Sequence, residues 1–70
     1  MANLGDKVAE KMEEDLNLGY DVWRIDPLDI ARSFVSDYPE EFKGCFIADI
    51  RNAVRTWRRE NAYRYYEDTY

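Results

Sequence analysis

Four arginines near the C-terminus have the spacing that would form a single binding surface on a helix. Arg51, Arg55, Arg58 and Arg59 stand at positions i, i+4, i+7 and i+8, and this arginine stripe would occupy one helix face. Each guanidinium presents a planar fork of N–H donors that matches the oxygens of phosphates and carboxylates. The stripe therefore predicts a surface that contacts nucleic-acid phosphates or the carboxylates of a partner. The competing interpretation is an ordinary solvated helix face.

An acidic stripe with the same spacing precedes it near the N-terminus, formed by Asp6, Glu10, Glu13 and Glu14. Acidic surfaces can imitate the phosphates of DNA or meet a basic groove by charge complementarity, although such charges often serve solubility alone. We expect each stripe to lie opposite the apolar side of its own helix, where it is poorly placed to pair within one molecule. If the stripes pair between copies, the protein forms a dimer at low salt that loosens as salt rises.

Aromatic side chains follow the arginine stripe. The predicted partner-binding set continues with Trp57, Tyr63, Arg64, Tyr66 and Tyr70. Tyrosine and tryptophan bring large contact area at a low cost in conformational entropy, and tyrosine also stacks on exposed bases. The competing interpretation is that Tyr63 and Tyr66 pack back over the first helix or over Trp23 and complete the core.

The residues that catalysis would need are missing or isolated. The chain has no histidine, and it contains neither a glycine-rich phosphate loop nor a metalloprotease motif. Ser33 and Ser36 have no base partner in the sequence, and Cys45 is the only cysteine. We therefore predict a protein that is not an enzyme and that uses no metal or cofactor.

The composition describes one small acidic domain, predicted to span residues 1–70. The net charge is -5, but it is uneven: residues 1–50 hold twelve acidic and five basic side chains, whereas residues 51–70 hold three acidic side chains and five arginines. A single cysteine excludes an internal disulfide, and no apolar run has the length of a membrane span or signal peptide. We expect a cytoplasmic protein without membrane contact, located in the host cytoplasm if it is viral.

Helix signals divide the chain into three helices, at about residues 4–18, 27–36 and 39–66. Asn3 is a good N-cap for the first helix, and Gly19 is a stop signal at its end. Asp26 followed by Pro27 is a strong start signal for the second helix. The segment between these helices, from Tyr20 onward, is interpreted as an extended connector, with a short strand as the alternative.

The third helix is predicted to be the longest. Its apolar positions recur at helical period and are Phe42, Phe46, Ile50, Ala53, Val54 and Trp57, with the arginine stripe on the opposite face. The apolar pattern ends at Trp57, so the helix is expected to continue beyond its own core. The predicted fold is all-α: a small three-helix domain with a long C-terminal helix that projects beyond the core.

In size, acidity and aromatic content the chain resembles small virus-encoded proteins that bind and disable a host enzyme or defence complex. The resemblance rests on composition and covers no alignable motif. It implies a protein-interaction module that inhibits or modulates a protein or ribonucleoprotein complex; in its sharper form this is a phage-encoded anti-defence protein of the anti-CRISPR type. The second hypothesis is a small nucleic-acid-binding regulator that uses the arginine stripe.

Overall fold

The computed structural model describes the backbone of residues 3–69 and the side chains of residues 3–65. Over that range the chain forms four helices and no strand: α1 (Leu4–Asn17), α2 (Pro27–Asp37), α3 (Ile47–Glu60) and α4 (Ala62–Thr69). The predicted all-α class of a small domain is therefore confirmed. Helix α3 packs against both α1 and α2. None of the helices described is long and apolar enough to cross a membrane.

Local capping fixes both ends of α1. The Asn3 side chain accepts a hydrogen bond from the Asp6 amide at 2.8 Å, which satisfies one of the unpaired donors of the first turn. At the other end Gly19 has a φ of +89°. The Tyr20 amide donates to the Asp15 carbonyl, and the Gly19 amide donates to the Leu16 carbonyl. This bonding pattern is a Schellman motif, which requires a left-handed residue after the helix.

A turn and a cap connect α1 to α2. Asp21 accepts hydrogen bonds from the Trp23 and Arg24 amides, which forms an Asx-type turn. The segment is therefore a turn, and both the predicted extended connector and the alternative strand are wrong. Asp26 then caps α2 by accepting from the Leu28 amide at 2.9 Å, with Pro27 at the first helical position. The sequence signals for the start of α2 therefore act as predicted.

The predicted start of the third helix at residue 39 is wrong. Tyr38 leaves helical geometry with φ -131° and ψ 59°, as expected for a residue before proline. Residues 39–44 form turns, and Gly44 has a φ of +81°, which is incompatible with a right-handed α-helix. Helix α3 begins only at Ile47. Phe42 is buried from within the turn segment, whereas Phe46 is 75% exposed and is not a core residue.

The prediction of one continuous helix as far as residue 66 is also wrong, because the helix is interrupted at Asn61. Its side-chain amide donates to the Trp57 carbonyl at 2.9 Å, and its backbone leaves helical geometry at φ -110°, ψ 13°. A side chain that bonds to the backbone in this way competes with helix continuation. The chain resumes as α4, whose first turn carries Arg64 and Tyr65 into contacts with Glu13 and Trp23.

One hydrophobic core joins the first three helices to the two connecting segments. Its buried side chains are Val8, Met12, Val22, Ile30, Ala31, Phe34, Phe42, Ile50, Val54 and Trp57. Phe34 and Phe42 stack with ring centroids 5.7 Å apart, which anchors the turn segment to α2. The central strip of α3 faces this core, so the rest of α3 is the part of the helix that can meet a partner.

Candidate functional site

The four arginines of the stripe are not equivalent, which corrects the expectation that all lie opposite the core. Successive residues are rotated by about 100° around a helix, so Arg51 and Arg58 lie beside the strip that contains Ile50 and Val54. Both are half-buried, whereas Arg55 and Arg59 are exposed. The Nε atom of Arg51 is buried and has no hydrogen-bond partner in the described part of the chain. Only two of the four arginines therefore face fully outward.

Arg58 binds the connector between α1 and α2. Its Nη1 donates to the Ile25 carbonyl at 2.6 Å, and its Nη2 donates to the Trp23 carbonyl. These acceptors are neutral, and no carboxylate in the described range pairs with Arg58. The side chain therefore holds the connector in place while its positive charge remains uncompensated.

The outward part of α3 forms an exposed basic surface, here called the arginine face: Asn52, Arg55, Thr56 and Arg59. These residues line an open groove of about 340 Å³. Neither Arg55 nor Arg59 has an ion pair or a hydrogen bond with any residue that the structure describes. Tyr63 follows Arg59 by four residues and is 60% exposed. The arginine face is therefore free to contact a partner.

A second pocket, here called the aromatic niche, lies beside the arginine face and shares Arg59 with it. It has a volume of about 340 Å³ and is lined by Trp23, Arg24, Arg58, Arg59, Ala62 and Tyr65. The Trp23 ring is stacked on Trp57 at 5.2 Å and meets Tyr65 at 5.7 Å. Arg24 donates a hydrogen bond to the Tyr65 hydroxyl at 3.2 Å. Sequence reasoning missed this pocket, because its residues come from segments about forty positions apart.

The aromatic and basic residues predicted after the stripe have different environments. Trp57 is 7% exposed and belongs to the core. Arg64 is paired: its Nη2 donates to Glu13 Oε2 at 3.0 Å, and its guanidinium lies 5.8 Å from the centre of the Trp57 ring. The ring that packs on Trp23 is Tyr65 and not Tyr63. The predicted contacts of the Tyr66 side chain and of Tyr70 lie outside the described residues.

The acidic stripe is partly paired inside the molecule, contrary to expectation. The hydrogen bond with Arg64 lowers the pKa of Glu13. Glu14 lies 3.7 Å from the Lys11 ammonium and accepts a hydrogen bond from the Tyr38 hydroxyl at 3.4 Å. Asp6 and Glu10 remain exposed. The outward acidic surface of α1 is therefore smaller than the sequence spacing indicates.

Lys11 lies on the core side of α1, next to Glu14 of the acidic stripe. It is 5% exposed. Its Nζ lies 3.1 Å from Glu41 Oε1 and 4.2 Å from the centre of the Tyr38 ring. The hydrogen bond with Glu41 is the main cause of a raised pKa at Lys11, and burial opposes it. The spacing from Val8 to Lys11 predicts this orientation, but Glu41 and Tyr38 come from the region that follows α2.

An acid-lined cleft of about 190 Å³ separates the end of α1 from α2. Asp15, Asp29 and Asp37 contribute carboxylates, and Ile25 and Ile30 contribute apolar wall. Burial raises the pKa of Asp15, and the negative charges of Asp37 and Glu14 raise it further. In the part of the chain that the structure describes, no group of three or more acidic or cysteine side chains is placed to hold a metal ion.

These surfaces present guanidinium groups, aromatic rings and carboxylates, which can bind anions, flat rings or cations. In the acid-lined cleft the Ser33 hydroxyl donates a hydrogen bond to Asp37 Oδ2 at 3.3 Å, so the expectation that Ser33 has no acidic partner is wrong. Comparison with protein-family models, curated proteins and solved structures finds no match for this chain.

Proposed function

We propose that this protein is a non-enzymatic interaction module that docks through the arginine face onto an acidic surface of a larger protein or ribonucleoprotein complex. The observation that carries the proposal is the state of Arg55 and Arg59, which are exposed and unpaired among the described residues. A guanidinium that has no internal partner loses no existing contact when it binds a carboxylate of another molecule.

The anchoring of α3 supports the proposal. Helix α3 is fixed on one side by the core residues Ile50 and Val54 and on its flank by Arg58. The arginine face is therefore carried by a rigid element, which reduces the entropy cost of binding. Exposed Tyr63 adds an aromatic group of the type enriched at interface hot spots.

Occupying the partner's surface is the proposed mode of action. A module of 70 residues acts by covering a site or by holding one conformation of its partner. The phage-encoded anti-defence role expected from the composition is the sharper form of this proposal: the partner is then a host complex whose function requires the surface that the module occupies.

Site-specific photocrosslinking tests the docking surface. A benzophenone amino acid at Tyr63 is expected to crosslink a purified candidate complex, and the same group at Phe46, an exposed aromatic position at the start of α3, is expected to give no product. The variant Arg55→Glu/Arg59→Glu should remove the product and raise the Kd at least tenfold, since it replaces two attractive charges with two repulsive ones.

Arg32→Glu/Lys43→Glu is the matched control, because it makes the same change in net charge at exposed cations outside α3. It is expected to retain at least half of the crosslinking. Equal loss in both double variants would show that net charge rather than the arginine face governs binding, and would refute the proposed surface. Binding of bare duplex DNA or RNA that weakens linearly with the logarithm of salt would instead support the nucleic-acid alternative.

A further inference from the structure

We infer that the aromatic niche is a binding site for a nucleoside phosphate, with the base against Trp23 and Tyr65 and the phosphate beside Arg58 and Arg59. This inference goes beyond the proposed function, because it concerns a different pocket that shares only Arg59 with the arginine face. The niche has a volume of about 340 Å³, which is in the range of small-ligand sites.

The charge of the niche selects an anion. Arg24 has a carboxylate neighbour, Asp21, at 3.9 Å. Arg58 donates only to neutral carbonyl groups, and Arg59 has no ion pair with any described residue. Two of the three arginines therefore keep their full positive charge at the edge of one pocket. Guanidinium groups bind phosphate oxygens through paired hydrogen bonds and also stack on bases.

The walls of the niche select a flat ring. Trp23 and Tyr65 meet at an angle of 51°, and Trp57 supports the Trp23 ring from behind at 5.2 Å. A ring that is already held by a second ring loses little freedom when a base stacks on it. Ala62 contributes only a methyl group to the lining, which leaves room for a planar ligand. An aliphatic ligand would fit less well, because the lining offers flat faces and cations rather than a deep apolar cavity.

An NMR titration of the ¹⁵N-labelled protein with adenosine 5′-monophosphate tests the inference. We expect saturable shifts of the Trp23 indole N–H and of the Arg59 and Ala62 amides, with a Kd of about 1 mM or lower. Adenosine and inorganic phosphate, added separately, should each bind at least fivefold more weakly, because each supplies only one of the two recognised groups.

Two variants test the location. Arg59→Gln should raise the Kd for the nucleotide at least threefold, whereas Arg32→Gln, the same change at an exposed position on α2, should leave it unchanged. Ala62→Leu should abolish binding by filling the niche, with the remaining amide spectrum preserved as evidence of folding. Absence of saturable shifts with the nucleotide, or equal effects of Arg59→Gln and Arg32→Gln, would overturn the inference.

The nucleoside phosphate could belong to a free nucleotide or to the 5′ end of a single strand, and a 5′-phosphorylated tetranucleotide distinguishes these two sources. If the natural ligand is a single strand, the tetranucleotide should bind at least tenfold more tightly than the mononucleotide, and Arg55→Gln should weaken only the longer ligand. Equal affinities and no effect of Arg55→Gln indicate a free nucleotide. Both results support the niche, whereas shifts confined to Asn52 and Thr56 would refute it in favour of the arginine face.

Discussion

Lys11 brings a positive charge to the edge of the core, where carboxylates and an aromatic ring replace the water around it. Its orientation can be derived from helical spacing, since it follows Val8 by three residues. Its burial could not be predicted, because the partners Glu41 and Tyr38 lie in the region that follows α2, whose position depends on the tertiary fold. The contacts of Arg58 could not be predicted either, because its acceptors are backbone carbonyl oxygens, which every residue has.

Removing only the acid of the Lys11–Glu41 pair should lower the stability of the protein more than replacing the buried lysine with an apolar side chain. We expect Glu41→Gln to lower the free energy of unfolding by about 1–2 kcal/mol, because the buried ammonium then loses its main hydrogen-bonded carboxylate. Lys11→Met should change it by less than about 1 kcal/mol, because the new side chain is apolar and similar in length. Urea unfolding at pH 7 measures both variants. A larger loss for Lys11→Met would show that the pair is net stabilising.

Asp15 should destabilise the protein at neutral pH. Its pKa is raised in the folded state, so the native structure favours the protonated form and stability falls as pH rises from the unfolded value through the folded value. Asp15→Asn should therefore raise the melting temperature at pH 7 by about 2–4 °C. The gain should vanish near pH 3, where Asp15 is protonated in both states. A gain of equal size at both pH values would contradict this explanation.

At the scale of elements, local signals predicted the limits of α1 and α2, and tertiary structure decided the rest. Asn3, Gly19 and the Asp26–Pro27 pair act within a few residues of themselves, so the sequence is sufficient to interpret them. The apolar period that predicted a helix from residue 39 continued across Gly44 by coincidence, since Phe42 reaches the core from a turn. The helix interruption at Asn61 could not be predicted from the sequence, because it depends on the hydrogen bond that the Asn61 side chain donates to the Trp57 carbonyl.

The contact between α1 and α4 should depend on pH through Glu13. Its pKa is lowered by Arg64, so the contribution of this pair to stability is present above the unfolded value near 4.5 and is lost as pH falls through the folded value. We expect the Arg64 amide, which donates to the Asn61 carbonyl, to lose hydrogen-exchange protection as pH falls through the folded-state pKa of Glu13. Glu13→Gln should produce the same loss at pH 7.

Glu10→Gln is the matched control for this contact, because Glu10 is an exposed acid on the same helix. It should leave the exchange of the Arg64 amide unchanged at pH 7. Acid-induced loss of protection that starts in the core amides of α3 instead would indicate global unfolding, and would contradict a local role for Glu13.

The whole molecule has charges of opposite sign on separate surfaces, but its internal pairs reduce what is available to a second copy. Glu13 and Glu14 have partners within the chain, and Arg58 is bound to carbonyls. The spacing of the arginines in the sequence indicated a basic surface on α3. It could not show that only Arg55 and Arg59 are fully exposed. The aromatic niche lay beyond sequence reasoning, because it forms only where the connector meets α4.

We expect a monomer at physiological salt and micromolar concentration. Asp6 and Glu10 on one copy could meet Arg55 and Arg59 on another, and exposed pairs contribute about 0.2–1 kcal/mol each. In a two-fold symmetric dimer each contact occurs twice. Four such pairs contribute about 1–4 kcal/mol together, which does not exceed an association cost of at least about 4 kcal/mol. Light scattering at 20 mM and 150 mM salt measures this. A dimer that persists at 150 mM salt would show that an apolar contact, and not the charged residues, holds the copies together.

The way in which Arg58 holds the connector has a consequence for how the protein could diversify. Arg58 recognises the carbonyl oxygens of Trp23 and Ile25, and every amino acid supplies such an oxygen. Substitutions of the exposed side chains of Arg24 and Ile25 therefore leave this attachment intact. Mutational drift at these two positions can alter what the neighbouring surface recognises while the scaffold beneath it stays the same.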